Sequence, residues 1–130
     1  MADRKYKILI IDDDTFILNM YVAKFVKDGH QVETARSGVE AISKLKDGYE
    51  PEIALIDIVL PDMNGLDLLH KLKEDKISPK TIYIMFTNQN SNEETNRAKS
   101  LEAAAYIIKA NLIPSELVAK VLEVAENYKN

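Results

Sequence analysis

Apolar residues in this chain form two alternating kinds of run. Short blocks apolar on consecutive positions read as strands buried on both faces: residues 6–11 "YKILII", the shorter 30–35 "HQVETA", Ile53–Ile56, residues 81–86 "TIYIMF" and residues 104–108 "AAYII". Between them apolar residues recur every three or four positions, as one face of a helix requires. Residues 14–28 carry Ile17, Met20, Tyr21, Phe25 and Val26, and Gly29 follows as a stop. Ser37 with Glu40 forms a capping-box pattern that opens a helix through Ala41, Ile42 and Leu45, closing near Asp47 and Gly48. The turn set Pro61, Asp62, Asn64 and Gly65 precedes a helix with Leu66, Leu68, Leu69 and Leu72. Ser91 with Glu94 repeats the capping pattern before a helix to about Leu101, and Pro114 opens the last helix, through Leu117, Val118, Val121 and Leu122.

Five strand-then-helix units predict a single α/β domain over residues 1–130, a doubly wound parallel sheet with helices on both faces. One residue conflicts with this pattern. In "ALIDIVLP" (54–61), Asp57 puts a carboxyl group into an apolar run, and burying an unpaired carboxylate costs several kcal/mol. Open parallel sheets resolve the conflict, because ligands sit beyond the carboxyl ends of their strands. If Ile53–Ile56 is the strand, Asp57 looks into a crevice. Asp12 and Asp13 end the first strand, Thr87 the fourth and Lys109 the fifth. In a flavodoxin-like order 2-1-3-4-5, strands one and three are neighbours, and the three carboxylates come together. Such a cluster repels itself unless a cation binds, and hard oxygen donors suit Mg²⁺, with Mn²⁺ as an alternative. With Lys109 for a phosphate oxygen and Thr87 as a hydroxyl donor, the set makes a phosphoryl-transfer site whose nucleophile is a carboxylate.

Composition narrows the class. The chain has 130 residues, 46% hydrophobic and 29% charged, as expected of a globular domain. A net charge of -4 gives no basic footprint for direct nucleic-acid contact. There is no cysteine, the start "MADRKYK" does not read as a signal peptide, and no apolar stretch reaches the ~18 residues of a membrane span. The expectation is a soluble cytoplasmic domain.

The ordered set "ILIIDDD", "ALIDIVLPDMNGLDLL", "IYIMFT" and "YIIK" resembles the response-regulator receiver domains of two-component signalling, chemotaxis-regulator-like, over nearly the full length. The resemblance implies the flavodoxin-like (βα)5 three-layer sandwich and a role for each residue at the edge. Asp57 would be the phosphoacceptor for a sensor histidine kinase or phosphotransfer protein. Asp13 would bind Mg²⁺ directly, Asp12 through water, and the Val59 backbone carbonyl would complete the protein's share of the shell. Thr87 would be the switch hydroxyl, Lys109 and the Asn88 backbone N–H phosphate partners, and Tyr106 the aromatic that changes rotamer. Phosphorylation would reshape the face made by helix four, strand five and helix five for a downstream partner or effector domain. Hydrolysis of the acyl phosphate would then reset this non-enzymatic module.

Three positions depart from the family pattern. Asn88 stands where a small residue is usual, and its side chain is expected to narrow access to Asp57. Ala110 stands where a cis-proline usually follows the lysine, leaving the Lys109–Ala110 bond cis under strain or relaxed to trans. "LEAAAY" lacks the usual glycine before the fifth strand.

Each residue also has a plainer reading. Asp14 is an N-cap, "PDMNG" a turn in which Gly65 supplies an unusual φ, and His30 and His70 surface residues without a role. The rival from the enzyme class is a haloacid-dehalogenase phosphatase, because Asp12 and Asp14 stand two apart after the first strand. Phe16 occupies the position where that family needs threonine or valine, and no strand after Phe86 ends in carboxylates. An EF-hand reading fails for lack of the central glycine.

Overall fold

The computed structural model describes residues 4–128. Strands β1 (Lys7–Ile11), β2 (Gln31–Ala35), β3 (Ile53–Ile56), β4 (Ile82–Thr87) and β5 (Ala105–Ile108) alternate with helices α1 (Thr15–Lys27), α2 (Gly38–Lys46), α3 (Gly65–Glu74), α4 (Asn92–Ser100) and α5 (Pro114–Asn127). The sheet is parallel throughout, in the order β2-β1-β3-β4-β5. This is the doubly wound, flavodoxin-like arrangement that the sequence pattern and the family resemblance predict.

Alternation along the strands divides the core into two layers. Ile8, Ile10, Ile53, Leu55, Ile84, Phe86 and Ile107 pack against Leu18, Tyr21 and Phe25 of α1 and Leu117, Val118 and Val121 of α5. Leu9, Ile11, Ala54, Ile56, Tyr83 and Met85 pack on the other face, against α2, α3 and Ala98 of α4. Each fully buried leucine, isoleucine or phenylalanine contributes roughly 1.5–3 kcal/mol, so both layers resist a slip in register.

The helix ends show which local signals hold. Asp14 caps α1, its Oδ1 accepting from Ile17 N at 3.2 Å, and Gly29 at φ 97° ends it in the left-handed region. At α2 the Ser37 hydroxyl accepts from Glu40 N, but the Glu40 carboxylate accepts from Arg36 N, one residue before the cap. After α4 the missing glycine is replaced by a left-handed Glu102 at φ 62°. Glu102 N donates to Lys99 O and Ala103 N to Ala98 O, so the turn persists with a side chain where glycine is cheapest.

Two sequence expectations are corrected. Gly65 does not have a positive φ; its role is close approach, since a Cβ there would lie 2.1 Å from the Asp57 carbonyl oxygen. His30 is not a surface residue but 5% exposed, between Tyr6 and Phe25, and its Nδ1 accepts from Tyr6 N at 3.0 Å. That bond needs an unprotonated Nδ1. Burial first, then the nearby Lys5 ammonium, lowers the His30 pKa against the opposing pull of Asp28. Between this lowered value and the ordinary ~6.5 the unfolded chain binds the extra proton, so stability falls as pH drops below about 6.5. His30→Gln, which keeps an acceptor but cannot titrate, is expected to lose less melting temperature than the parent between pH 7 and pH 5. Equal losses in thermal melts would remove His30 from the acid response.

Candidate functional site

Register and pleat assemble the site from four strand ends. Ile11 pairs with Ile56, so the next residues, Asp12 and Asp57, stand side by side. Both fall on the α1/α5 side of the sheet by alternation, as does Lys109, two residues after the buried Ile107. Asp57 N still donates to Ile11 O at 3.0 Å, which extends the ladder by one residue and holds the carboxyl group at the edge. Thr87 falls on the opposite side, where Tyr106 packs partly buried against the other core layer.

Lys109 is buried, with Nζ 2.8 Å from Asp57 Oδ2 and hydrogen-bonded also to Asp12 Oδ2. Its ammonium lies 5.2 Å from the centre of the Phe86 ring, a cation–π contact that walls the charge off from the core. The remaining carboxylate oxygens are engaged by backbone: Asp12 Oδ1 accepts from Asp14 N at 2.9 Å and Asp57 Oδ1 from Val59 N at 3.2 Å. Burial raises the Asp12 pKa, outweighing the Lys109 hydrogen bond and charge, and the Asp57 charge adds to the rise. Burial alone would lower the Lys109 pKa, but hydrogen bonds and charges from both aspartates together hold it above its ordinary value. The asymmetry is physical: one ammonium has two anionic partners, whereas the carboxylates share one cation and repel each other.

A cleft of about 220 Å³ opens over this trio, lined by Asp13, Asp14, Ile17, Asp57, Val59, Thr87, Asn88, Gln89 and Lys109. A larger hollow of about 290 Å³ lies at the opposite, amino-terminal end of β3 and β4. There Glu52 accepts from Lys7 N, and Thr81 is hydrogen-bonded to Pro51 O and Ser78. Within the site cleft Asp13 is exposed, so the expected cluster of three carboxylates divides into a buried pair on Lys109 and a third on the open side. Among the described residues no three acidic or histidine side chains form a ready cage for a metal ion. The donor chemistry nevertheless fits a hydrated hard cation: carboxylate oxygens of Asp13 and Asp57 border the same open, polar cleft as Val59.

The loop after β4 joins the other predicted residues. Thr87 is fully buried, and its Oγ1 accepts from Gln89 N at 3.2 Å. The Tyr106 hydroxyl donates to Gln89 O at 2.7 Å, and burial raises its pKa, helped by the Glu94 and Asp57 charges. Asn88 turns its side chain toward the loop after β5, where Oδ1 accepts from Ala110 N at 2.8 Å. The peptide between Lys109 and Ala110 is trans, since the described residues contain no cis bond.

Sequence reading missed Gln89 and Asp62. The Asp62 carboxylate accepts from Gly38 N and Val39 N, both at 2.9 Å, at the amino end of α2. These backbone bonds lower its pKa and tie the loop after β3 to a helix that begins 24 residues earlier. Asp14 Oδ1 is engaged as the cap of α1.

Residues 8–122 match the family model of the response regulator receiver domain. The response regulator SaeR of Staphylococcus aureus (strain USA300) is 33% identical over 114 residues, covering 88% of this chain and 48% of SaeR. The chain thus spans about half the length of the curated relatives it matches. A CheY-like receiver domain protein from Methanospirillum hungatei superposes with a TM-score of 0.85 at 35% identity, covering 95% of this chain and 96% of that one. The response regulator DrrB of Thermotoga maritima gives a TM-score of 0.78 at 27% identity, covering 98% of this chain and 55% of DrrB. With family model, relative and fold all in accord, the chain belongs to the response regulator receiver domain family of two-component systems.

Proposed function

We propose that Asp57 accepts a phosphoryl group from a phosphohistidine on a sensor histidine kinase or phosphotransfer protein. One observation carries the reading: Asp57 stands in register beside Asp12, shares the Lys109 ammonium with it, and borders an open cleft. In the transfer a carboxylate oxygen of Asp57 bonds to phosphorus while the P–N bond breaks. The imidazole leaves with the electron pair, and an acyl phosphate forms. Lys109 supplies positive charge for the incoming phosphoryl oxygens, and the Thr87 hydroxyl and Asn88 N–H supply donors. Mg²⁺, or Mn²⁺, would add charge neutralisation when bound by Asp13, Asp57 and the Val59 carbonyl, with Asp12 reaching it through water.

Because Thr87 and Tyr106 both hydrogen-bond Gln89, a shift of Thr87 toward the acyl phosphate moves the anchor of the Tyr106 hydroxyl. The α4–β5–α5 face then changes shape for a downstream protein partner or effector domain, and water resets the switch by hydrolysing the acyl phosphate. The module signals rather than turning over a substrate. No helix of the described residues is long and apolar enough to cross a membrane, and the net charge of -4 does not favour direct nucleic-acid contact.

Acetyl phosphate with Mg²⁺ is expected to place one acid-stable, base-labile phosphoryl group on the protein, read by mass spectrometry. Millimolar Mg²⁺ alone is expected to raise the melting temperature, since it binds only the folded site. No labelling would overturn the phosphoacceptor reading, and no thermal shift the metal assignment.

A further inference from the structure

The two departures at positions 88 and 110 meet in space. Asn88 Oδ1 accepts from Ala110 N at 2.8 Å, across the gap between the loop after β4 and the loop after β5. Proline, the usual residue at position 110 in the resemblance, has no N–H, so this bond requires both departures at once. The donor belongs to the peptide that begins at the Lys109 carbonyl, so fixing it fixes the plane from which the Lys109 side chain runs back to Asp57 and Asp12. Beyond the buried Lys109 side chain itself, the backbone of the short turn Lys109–Asn111 is held by one closing bond. Ala110 and Asn111 are exposed, and the closing bond from Leu112 N to Lys109 O is long at 3.3 Å.

We propose that the Asn88–Ala110 bond is a latch and Asn88 a positioning residue, which holds the Lys109 ammonium in place for phosphorylation of Asp57. The inference rests on the phosphoacceptor reading above. It also reverses the expectation that the Asn88 side chain acts by narrowing access. An obstructing side chain slows the reaction, and removing it speeds it; a positioning side chain does the opposite.

The test measures two quantities, hydrogen exchange at the Ala110 amide and the rate of phosphorylation by acetyl phosphate with Mg²⁺. Asn88→Ala is expected to speed Ala110 exchange and slow phosphorylation about three- to tenfold, the range of one net hydrogen bond, with little change in melting temperature. Asn88→Asp keeps an acceptor oxygen and is expected to keep the slow exchange. Ala110→Pro removes the donor, and in that background Asn88→Ala is expected to have no further effect on the rate. Unchanged Ala110 exchange in Asn88→Ala overturns the latch. A rate equal to or above the parent's in Asn88→Ala, or an effect that persists beside proline, overturns the positioning role. If the unmodified protein takes no phosphoryl group at all, the phosphoacceptor reading fails, while amide exchange still decides whether the latch exists.

Discussion

Lys109→Met is expected to destabilise the protein by about 3–5 kcal/mol, a fall in melting temperature of roughly 10–20 °C for a domain of this size. The reason is what the lysine leaves behind. Asp12 is 1% exposed and Asp57 8%, and each has Lys109 as its cationic partner. Methionine fills the volume against Phe86 but leaves two buried carboxylates facing each other without a cation. Asp57→Asn in the Lys109→Met background is expected to recover part of the loss, because it removes one of the stranded charges. Calorimetry of the single and double variants checks both statements. A loss below about 1 kcal/mol in the single variant would mean that water from the cleft already solvates the pair.

Asp57→Asn by itself is expected to behave in the opposite way, with phosphoryl incorporation abolished and the fold intact. Asp12, Asp57 and Lys109 sum to one net negative charge, and the substitution leaves a neutral Asp12–Lys109 pair. The asparagine carbonyl still accepts the bond from Val59 N that Asp57 Oδ1 accepts now. Without Mg²⁺ the melting temperature is expected to stay level or rise, because repulsion between the carboxylates is gone. With Mg²⁺ the shift is expected to shrink, since a donor lining the cleft has lost its charge. Clear destabilisation would make Asp57 a structural residue, and labelling that survived in the variant would place the phosphoryl group elsewhere.

Much of this site can be read from one dimension because parallel strands align their ends. Once residues 6–11 and Ile53–Ile56 are taken as neighbouring strands, Asp12 and Asp57 must share an edge, and the observed pairing of Ile11 with Ile56 puts them side by side. Element boundaries moved little. Ala104 lies just outside β5, yet its N–H donates to Tyr83 O, so the ladder reaches it without including its side chain.

Local sequence alone determined the strands, helices and most caps, because alternation, 3.6-residue spacing and capping patterns involve residues only a few positions apart. It determined the edge chemistry for the same reason, since each acidic, hydroxyl or ammonium group directly follows an apolar run. Tertiary structure decided what depends on distant partners. His30 is buried because Tyr6 N–H needs an acceptor where β1 begins, and nothing within reach of His30 in the chain announces that. Gly65 is needed because the Asp57 carbonyl passes where a Cβ would sit, not because of its own φ. Asp62 finds the end of α2, and Asn88 finds the N–H that Ala110 retains in place of proline, only after the chain has folded back across the sheet. Whether Lys109 lies among solvent or between two carboxylates was likewise settled in three dimensions, because burial and two anions act on it together from residues 97 and 52 positions away.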